Sequence, residues 1–116
     1  MVALKKIIPA AFYRTPQGAE PVRDFILTLP REDRRIIGAD IATVEYGWPV
    51  GKPTCAPLGL GLWEVRSTLA TRRIARVIFT LHDNQMVLLH GFIKKTQKTP
   101  PGDLDIARKR MKEVKK

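Results

Sequence analysis

The chain has 116 residues, of which 44% are hydrophobic, and its formal net charge is +10. This composition excludes a disordered chain, and no apolar run approaches the roughly 18 residues that a membrane span needs. A single cysteine, Cys55, excludes an internal disulfide, and we interpret it as an ordinary loop residue. The N-terminus lacks the apolar stretch of a signal peptide. We therefore expect one cytoplasmic domain over residues 1–116.

The positive charge is unevenly distributed along the chain. Residues 20–47 hold four bases and six acids, whereas residues 48–102 hold eight bases and two acids. A basic excess of this kind raises the local concentration of polyanions, which favours a nucleic-acid partner. The alternatives are that the charge serves solubility or attracts an acidic protein.

The residue pattern in the first half of the chain predicts an edge strand and two helices. The strand lies around residues 6–14 and is interrupted by Pro9, which favours an edge position. A turn at residues 15–18 leads to a helix that opens at Glu20-Pro21, and a second helix begins near Arg31. Helical spacing gives each helix one apolar face, made by Val22, Phe25, Ile26 and Leu29 in the first and by Ile37, Ile41 and Val44 in the second. Together they predict an antiparallel helical hairpin.

The second half predicts a meander and a last helix. Residues 48–61 are rich in proline and glycine, so we expect a loop. Three strands follow at 62–67, 73–81 and 86–93, and the short connections favour antiparallel pairing. Asp103 is a plausible N-cap for a helix whose apolar face is Leu104, Ala107, Met111 and Val114. The predicted fold is α+β: a small antiparallel sheet with the helical hairpin on one face and a short C-terminal helix.

Alternation along the predicted strands leaves a basic face without a cover. Ala75, Val77, Phe79 and Leu81 form the face that should meet the hairpin. The opposite face gathers Arg66, Arg76, His90, Phe92 and Lys94, ringed by Arg72, Arg73, Lys95 and Lys98. Guanidinium groups bind phosphate and an exposed ring can stack on an unpaired base, so this face suits RNA. The alternative is that Arg66 pairs with Glu64 or with an acid of a helix, and that Phe92 belongs to the core.

Six segments resemble the phage-derived HigB-type toxins of the RelE/ParE toxin–antitoxin superfamily. They are Pro21–Phe25, Ala39–Ile41, Tyr46–Pro49, Leu62–Arg66, Arg73–Val77 and Leu89–Pro100. The Leu-Trp-Glu-Val-Arg sequence of the strand at 62–67 and the basic segment from His90 to Pro100 are the most specific of them. The resemblance runs from about residue 10 to residue 112. It implies a RelE-like fold and an endonuclease that cuts messenger RNA in the ribosomal A site.

The resemblance also implies site residues and partners. Catalytic roles carry over to Arg66, Arg76, Lys94 and Lys95, and a weaker RNA-binding role to Arg73. Arg72, Phe92, Thr96 and Lys98 complete the expected RNA-binding set. The implied partners are the ribosome with its message and a cognate helix-turn-helix antitoxin of the HigA type. That antitoxin could cover the basic face with carboxylates, or it could dock on the helical hairpin and the first strand. We favour the second.

Metal-free RNA cleavage uses the 2′-hydroxyl as the nucleophile. It needs a base, an acid, and cations for the charge of the phosphorane. Arg66 and Arg76 could supply the cations, and Lys94, Lys95 or His90 could act as the base. We expect neither cofactor nor metal. The competing hypotheses are a non-enzymatic gyrase inhibitor of the ParE type and a phage RNA-binding module.

Overall fold

A computed structural model describes residues 4–95 and 98–116 of the chain. In chain order the elements are β1 (Ala10–Phe12), α1 (Pro21–Leu27), α2 (Arg31–Gly47), β2 (Cys55–Gly59), β3 (Leu62–Thr68), β4 (Ile74–His82), β5 (Gln85–Lys94) and α3 (Pro101–Val114). The strands form one sheet in the order β1-β5-β4-β3-β2. The α+β class, the helical hairpin and the edge position of the first strand are thus confirmed. Among the described residues, no helix is long and apolar enough to cross a membrane.

The sheet is mixed, so the predicted antiparallel sheet is wrong at one edge. β2, β3, β4 and β5 pair antiparallel in sequence order, as the meander requires. β1 instead runs parallel to β5, with Ala10 opposite Met86 and Phe12 opposite Leu88. The carboxylate of Glu45 accepts a hydrogen bond from the Ala10 amide at 2.7 Å and holds the chain in this register from α2. The pairing depends on residues far apart in the sequence, which local patterns do not report.

The proline- and glycine-rich segment after α2 contains a strand that the sequence did not predict. β2 pairs with β3 at the other edge of the sheet, where Pro57 needs no ladder hydrogen bond on its open side. Cys55 lies in this strand and is buried, so its assignment to a loop is wrong. Burial raises the pKa of its thiol to about 11, and Glu64 adds to the effect. A thiol in this environment stays protonated and unreactive.

One face of the sheet packs against the helical hairpin as predicted. Ala75, Val77 and Phe79 of β4 are buried with Ile37, Ile41 and Val44 of α2 and Val22 of α1. Gly91 of β5 lies beneath α1, where an added Cβ would come within 2.5 Å of Phe25 Cδ2. The apolar alternation of the strands and the helical spacing of α1 and α2 therefore meet in one core.

The opposite face is not open, because α3 covers half of it. Ala107 of α3 is buried against a second apolar cluster on the sheet, made by Leu62, Ile78, Val87 and Leu89. Leu104, Met111 and Val114 pack around it, which confirms the predicted apolar face of this helix. Asp103 is not the N-cap: Pro100 holds that position and Pro101 begins the helix, as its fixed φ favours.

A β-bulge in β5 decides which side chains lie beneath α3. Ile78 lies opposite His90 and Phe79 opposite Leu88, so Leu89 is an extra residue in the ladder. Met86 and Leu88 consequently face the hairpin, whereas Leu89 and Phe92 belong to the α3 side. Uninterrupted alternation along β5 would place Met86 and Leu88 on the same face as His90, Phe92 and Lys94, and the bulge separates them.

Candidate functional site

A basic cleft lies where the part of this face that α3 leaves uncovered meets α2, because Ile36 and Asp40 of α2 line it together with residues of the sheet. The cleft has a volume of about 420 Å³, and Arg66 and Thr68 of β3 together with Ile74 and Arg76 of β4 line its sheet side. Arg66 lies directly opposite Arg76 in the ladder, and Arg76 lies opposite Phe92 of β5. Two strands that alternate with a period of two thus place two guanidinium groups next to each other.

A buried carboxylate holds both arginines. Arg66 Nε donates a hydrogen bond to Glu64 Oε2 at 3.0 Å, and Arg76 Nε lies 3.2 Å from the same oxygen as an ionic contact. The other oxygen, Oε1, accepts a hydrogen bond from Thr99 Oγ1 at 2.7 Å. Glu64 is only 2% exposed. This carboxylate therefore fixes the direction of two cations and attaches the segment before α3 to the sheet.

The two arginines differ in burial. The side chain of Arg66 is 34% exposed, whereas that of Arg76 is 7% exposed. Burial lowers the pKa of Arg76, and Glu64 opposes this effect, but a guanidinium stays protonated in any case. The pairing of Arg66 with Glu64 agrees with the alternative noted from the sequence. Arg76 is a buried ion-pair partner and not the surface residue that the open-face prediction required.

Lys94 completes the cationic side of the cleft. It ends β5 opposite Ile74, one of the residues that line the cleft. Burial lowers the pKa of its ammonium group, and the charges of Arg76 and Arg66 lower it further, while Glu64 acts in the opposite direction. An ammonium group in such surroundings loses its proton more readily than one in water.

His90 and Phe92 are tied to α3. His90 Nε2 lies 2.6 Å from Asp103 Oδ1, and Arg110 Nη1 lies 3.4 Å from His90 Nδ1. Because arginine has only donors, Nδ1 acts as an acceptor and the proton of a neutral ring is assigned to Nε2. The ring of His90 stacks on that of Phe92 at a centroid distance of 5.6 Å. Both nitrogens of His90 are thus engaged, and Phe92 packs against the second apolar cluster.

The remaining predicted residues lie around the cleft or away from it. Arg73 forms an ion pair with Asp33, a buried residue of α2, so it fastens the β3–β4 connection to the hairpin. Arg72 and Lys95 are exposed at the ends of strands β4 and β5. Lys98 is exposed and has a partner in the structure. Thr96 lies outside the described residues.

Three functional candidates escaped the sequence reasoning. Glu64 was considered only as a neutralising partner, although strand alternation places it on the same face as Arg66. Thr99 reaches it from 35 residues away and carried no sequence signal. Asp40 of α2 lines the cleft because it lies one turn before the buried stripe residue Val44. Among the described residues, no three His, Cys, Asp or Glu side chains come together as metal ligands.

A mixed sheet flanked by helices on both faces, with arginines and a lysine around a buried glutamate, defines a small α+β protein with a basic cleft. The model of the family described as Phage derived protein Gp49-like (DUF891) matches residues 24–112, from α1 to α3. The chain belongs to this phage-derived family, which is associated with toxin–antitoxin systems and is RelE-like. All the described cleft residues lie within the match. No curated protein matches the sequence.

Proposed function

We propose that this protein is the toxin of a type II toxin–antitoxin system, of the HigB type, and that it cuts messenger RNA on the ribosome. One observation carries the proposal: Arg66 and Arg76 lie side by side and are both held through Nε by one buried carboxylate. The guanidinium group of Arg66 makes no other hydrogen bond in the described part of the chain, so its outer edge remains available for phosphate. Family membership supports the same reading.

The cleft residues fit metal-independent cleavage through the 2′-hydroxyl. The two guanidinium groups would stabilise the charge that develops on the phosphorane. Lys94, whose pKa is lowered, is the base that this arrangement favours, because its neutral form is more accessible than that of an exposed lysine. His90 is less suited, since both of its nitrogens are engaged. The ribosome would hold the message in line for attack, which supplies much of the rate.

The proposed protein partner is a helix-turn-helix antitoxin of the HigA type. Among the described residues, five large apolar side chains are exposed on the hairpin and the N-terminal segment: Leu4, Ile7, Phe12, Leu27 and Tyr46. These offer apolar docking away from the cleft. An antitoxin bound there would make the complex too large to enter the ribosomal A site. An antitoxin that filled the cleft would instead have to reach Arg66 with carboxylates.

The test adds the purified protein to translating ribosomes and maps the ends of the message by primer extension. We expect cuts at A-site codons that disappear without ribosomes, with a 2′,3′-cyclic phosphate on the upstream fragment. Arg66→Ala should remove the cuts. Arg34→Ala is the matched control, because Arg34 is an exposed arginine of α2 outside the cleft, and it should cut normally.

Other results select other functions. Absence of cuts together with loss of DNA supercoiling by gyrase would establish the ParE-like alternative. RNA binding without any cut would leave an RNA-binding module. A 5′-phosphate on the downstream fragment would overturn the mechanism, since attack by the 2′-hydroxyl cannot produce it.

A further inference from the structure

A carboxylate without a partner faces the basic cleft. Asp40 of α2 lines the cleft together with Arg66 and Arg76, yet within the described residues its carboxylate forms neither an ion pair nor a hydrogen bond. Both arginines instead contact Glu64. An acid that shares a cleft with two cations and pairs with neither is free to bind a ligand that brings its own donors.

The helix holds Asp40 in a fixed place. Its neighbours one turn away on the same side, Ile37 and Val44, are fully buried in the core beneath α2. Side chains that project from an anchored helix are positioned more accurately than those on loops. Asp40 is therefore a preorganised acceptor and not a mobile surface charge.

The cleft offers both cations and apolar surface. Arg66 and Arg76 supply the cations. Ile36, Pro53 and Ile74 contribute apolar surface to the same cleft, and the hydroxyl of Thr68 makes no hydrogen bond in the described part of the chain. Flat apolar walls with a few polar groups at the edge are what an unpaired base requires. The volume of about 420 Å³ lies within the range of small-ligand sites.

We propose that Asp40 reads the Watson–Crick edge of a guanine whose phosphate is bound by Arg66 and Arg76. This rests on the proposed function and names a specificity-determining residue for it. An ionised carboxylate is only an acceptor. Guanine presents two adjacent donors, N1–H and N2–H, that match its two oxygens. Adenine, cytosine and uracil each place an acceptor beside their donor, so a carboxylate meets repulsion there.

The test measures the binding of the four 5′-ribonucleoside monophosphates to the intact protein by titration calorimetry. We expect 5′-GMP to bind more tightly than the other three by about tenfold, the size of one good bidentate contact to a base. Asp40→Asn should remove this advantage while leaving the other three affinities equal or higher, because a negative charge leaves the cleft. Asp24→Asn is the matched control: Asp24 is an exposed acid of α1, and the preference should persist.

The outcomes separate this inference from the proposed function. Equal binding of all four nucleotides, or a GMP preference that survives Asp40→Asn, overturns the role of Asp40 even if the protein cuts messages. A GMP preference that depends on Asp40, combined with no cutting on ribosomes, sinks the proposed function and leaves the base-reading site standing. If the protein does cut messages, cuts should be most frequent at codons that have guanine at one fixed position. Asp40→Asn should remove this difference in cutting frequency between codons.

Discussion

The two ends of the α3-side face of the sheet are built from the same strands but have opposite characters. At one end Leu62, Val87 and Leu89 lie sealed beneath α3. At the other end Arg66, Arg76 and Lys94 follow on the same strands, beyond the cover of the helix. The boundary is the row that joins Glu64, Ile78 and His90, where a buried carboxylate and a histidine bound to α3 separate core from cleft. A single alternating face can thus serve stability and function when a helix covers half of it.

The largest expected effect is at the boundary. Glu64→Ala leaves the buried guanidinium of Arg76 without its counter-charge and should lower the free energy of unfolding by about 4 kcal/mol. Urea denaturation measures it, with Glu32→Ala, an exposed acid of α2, as the control that should change little. A loss below about 1 kcal/mol would show that Glu64 does not hold the two ends together.

The sealed end should affect stability alone. Leu62→Ala removes a side chain that is 1% exposed and should cost about 3 kcal/mol through the cavity that it leaves. Leu60→Ala, two residues away and 79% exposed, is the control and should be nearly neutral. Under conditions where both variants are folded, each should cut ribosome-bound messages at the wild-type rate. A cutting defect in folded Leu62→Ala would contradict the conclusion that the sealed end contributes to stability alone.

The two cleft arginines should separate stability from activity. Arg76→Ala removes charge-assisted contacts from a buried site and should lower the free energy of unfolding by about 2 kcal/mol. Arg66→Ala, at a more exposed position, should lower it by less than about 1 kcal/mol. Both changes should abolish cutting. Thermal unfolding and primer extension on the same preparations check this, and equal destabilisation by the two changes would contradict the difference in burial.

The smallest effect on stability is expected at Lys94, where a substitution should stabilise the fold and not destabilise it. Because the folded state lowers its pKa below the ordinary 10.5, protonated Lys94 costs stability at neutral pH, and the cost is relieved as pH rises through the lowered pKa toward 10.5. Lys94→Gln should therefore be slightly stabilising at pH 7, and this gain should shrink at high pH.

The same change should impair the cutting of messages, although it slightly stabilises the fold. Loss of the base in Lys94→Gln should slow cutting by about a hundredfold. The wild-type rate should rise with pH through the lowered pKa, and single-turnover cutting over a pH series measures this. Lys112→Gln, an exposed lysine of α3, is the control. A pH profile that Lys94→Gln leaves unchanged would exclude Lys94 as the base.

Much of the fold could be predicted because it rests on periodicity. The spacing of Val22, Ile37 and Ile41 identified the inner faces of the two helices, and the alternation from Ala75 to Leu81 identified one face of β4. The features that escaped prediction have no local pattern. The bulge at Leu89 reverses the alternation halfway along β5.

The candidate site was predictable to the same extent. Alternation brought Arg66 and Arg76 to one face, which the ladder confirms. It could not show that α3 would cover half of that face, since an amphipathic helix reveals its apolar side but not the surface on which it docks. Nor could it show that Arg73 is taken up by Asp33, 40 residues earlier in the chain.

The parallel pairing of β1 with β5 has a consequence for the newborn chain. Strand β1 can pair at Ala10 only after Met86 has been synthesised. The carboxylate of Glu64 can accept its hydrogen bond only after Thr99 has been synthesised. Closing such distant contacts makes folding slow and dependent on nearly the whole sequence. During its own synthesis the polypeptide therefore remains without a finished cleft until Thr99 has been added and the last helix follows.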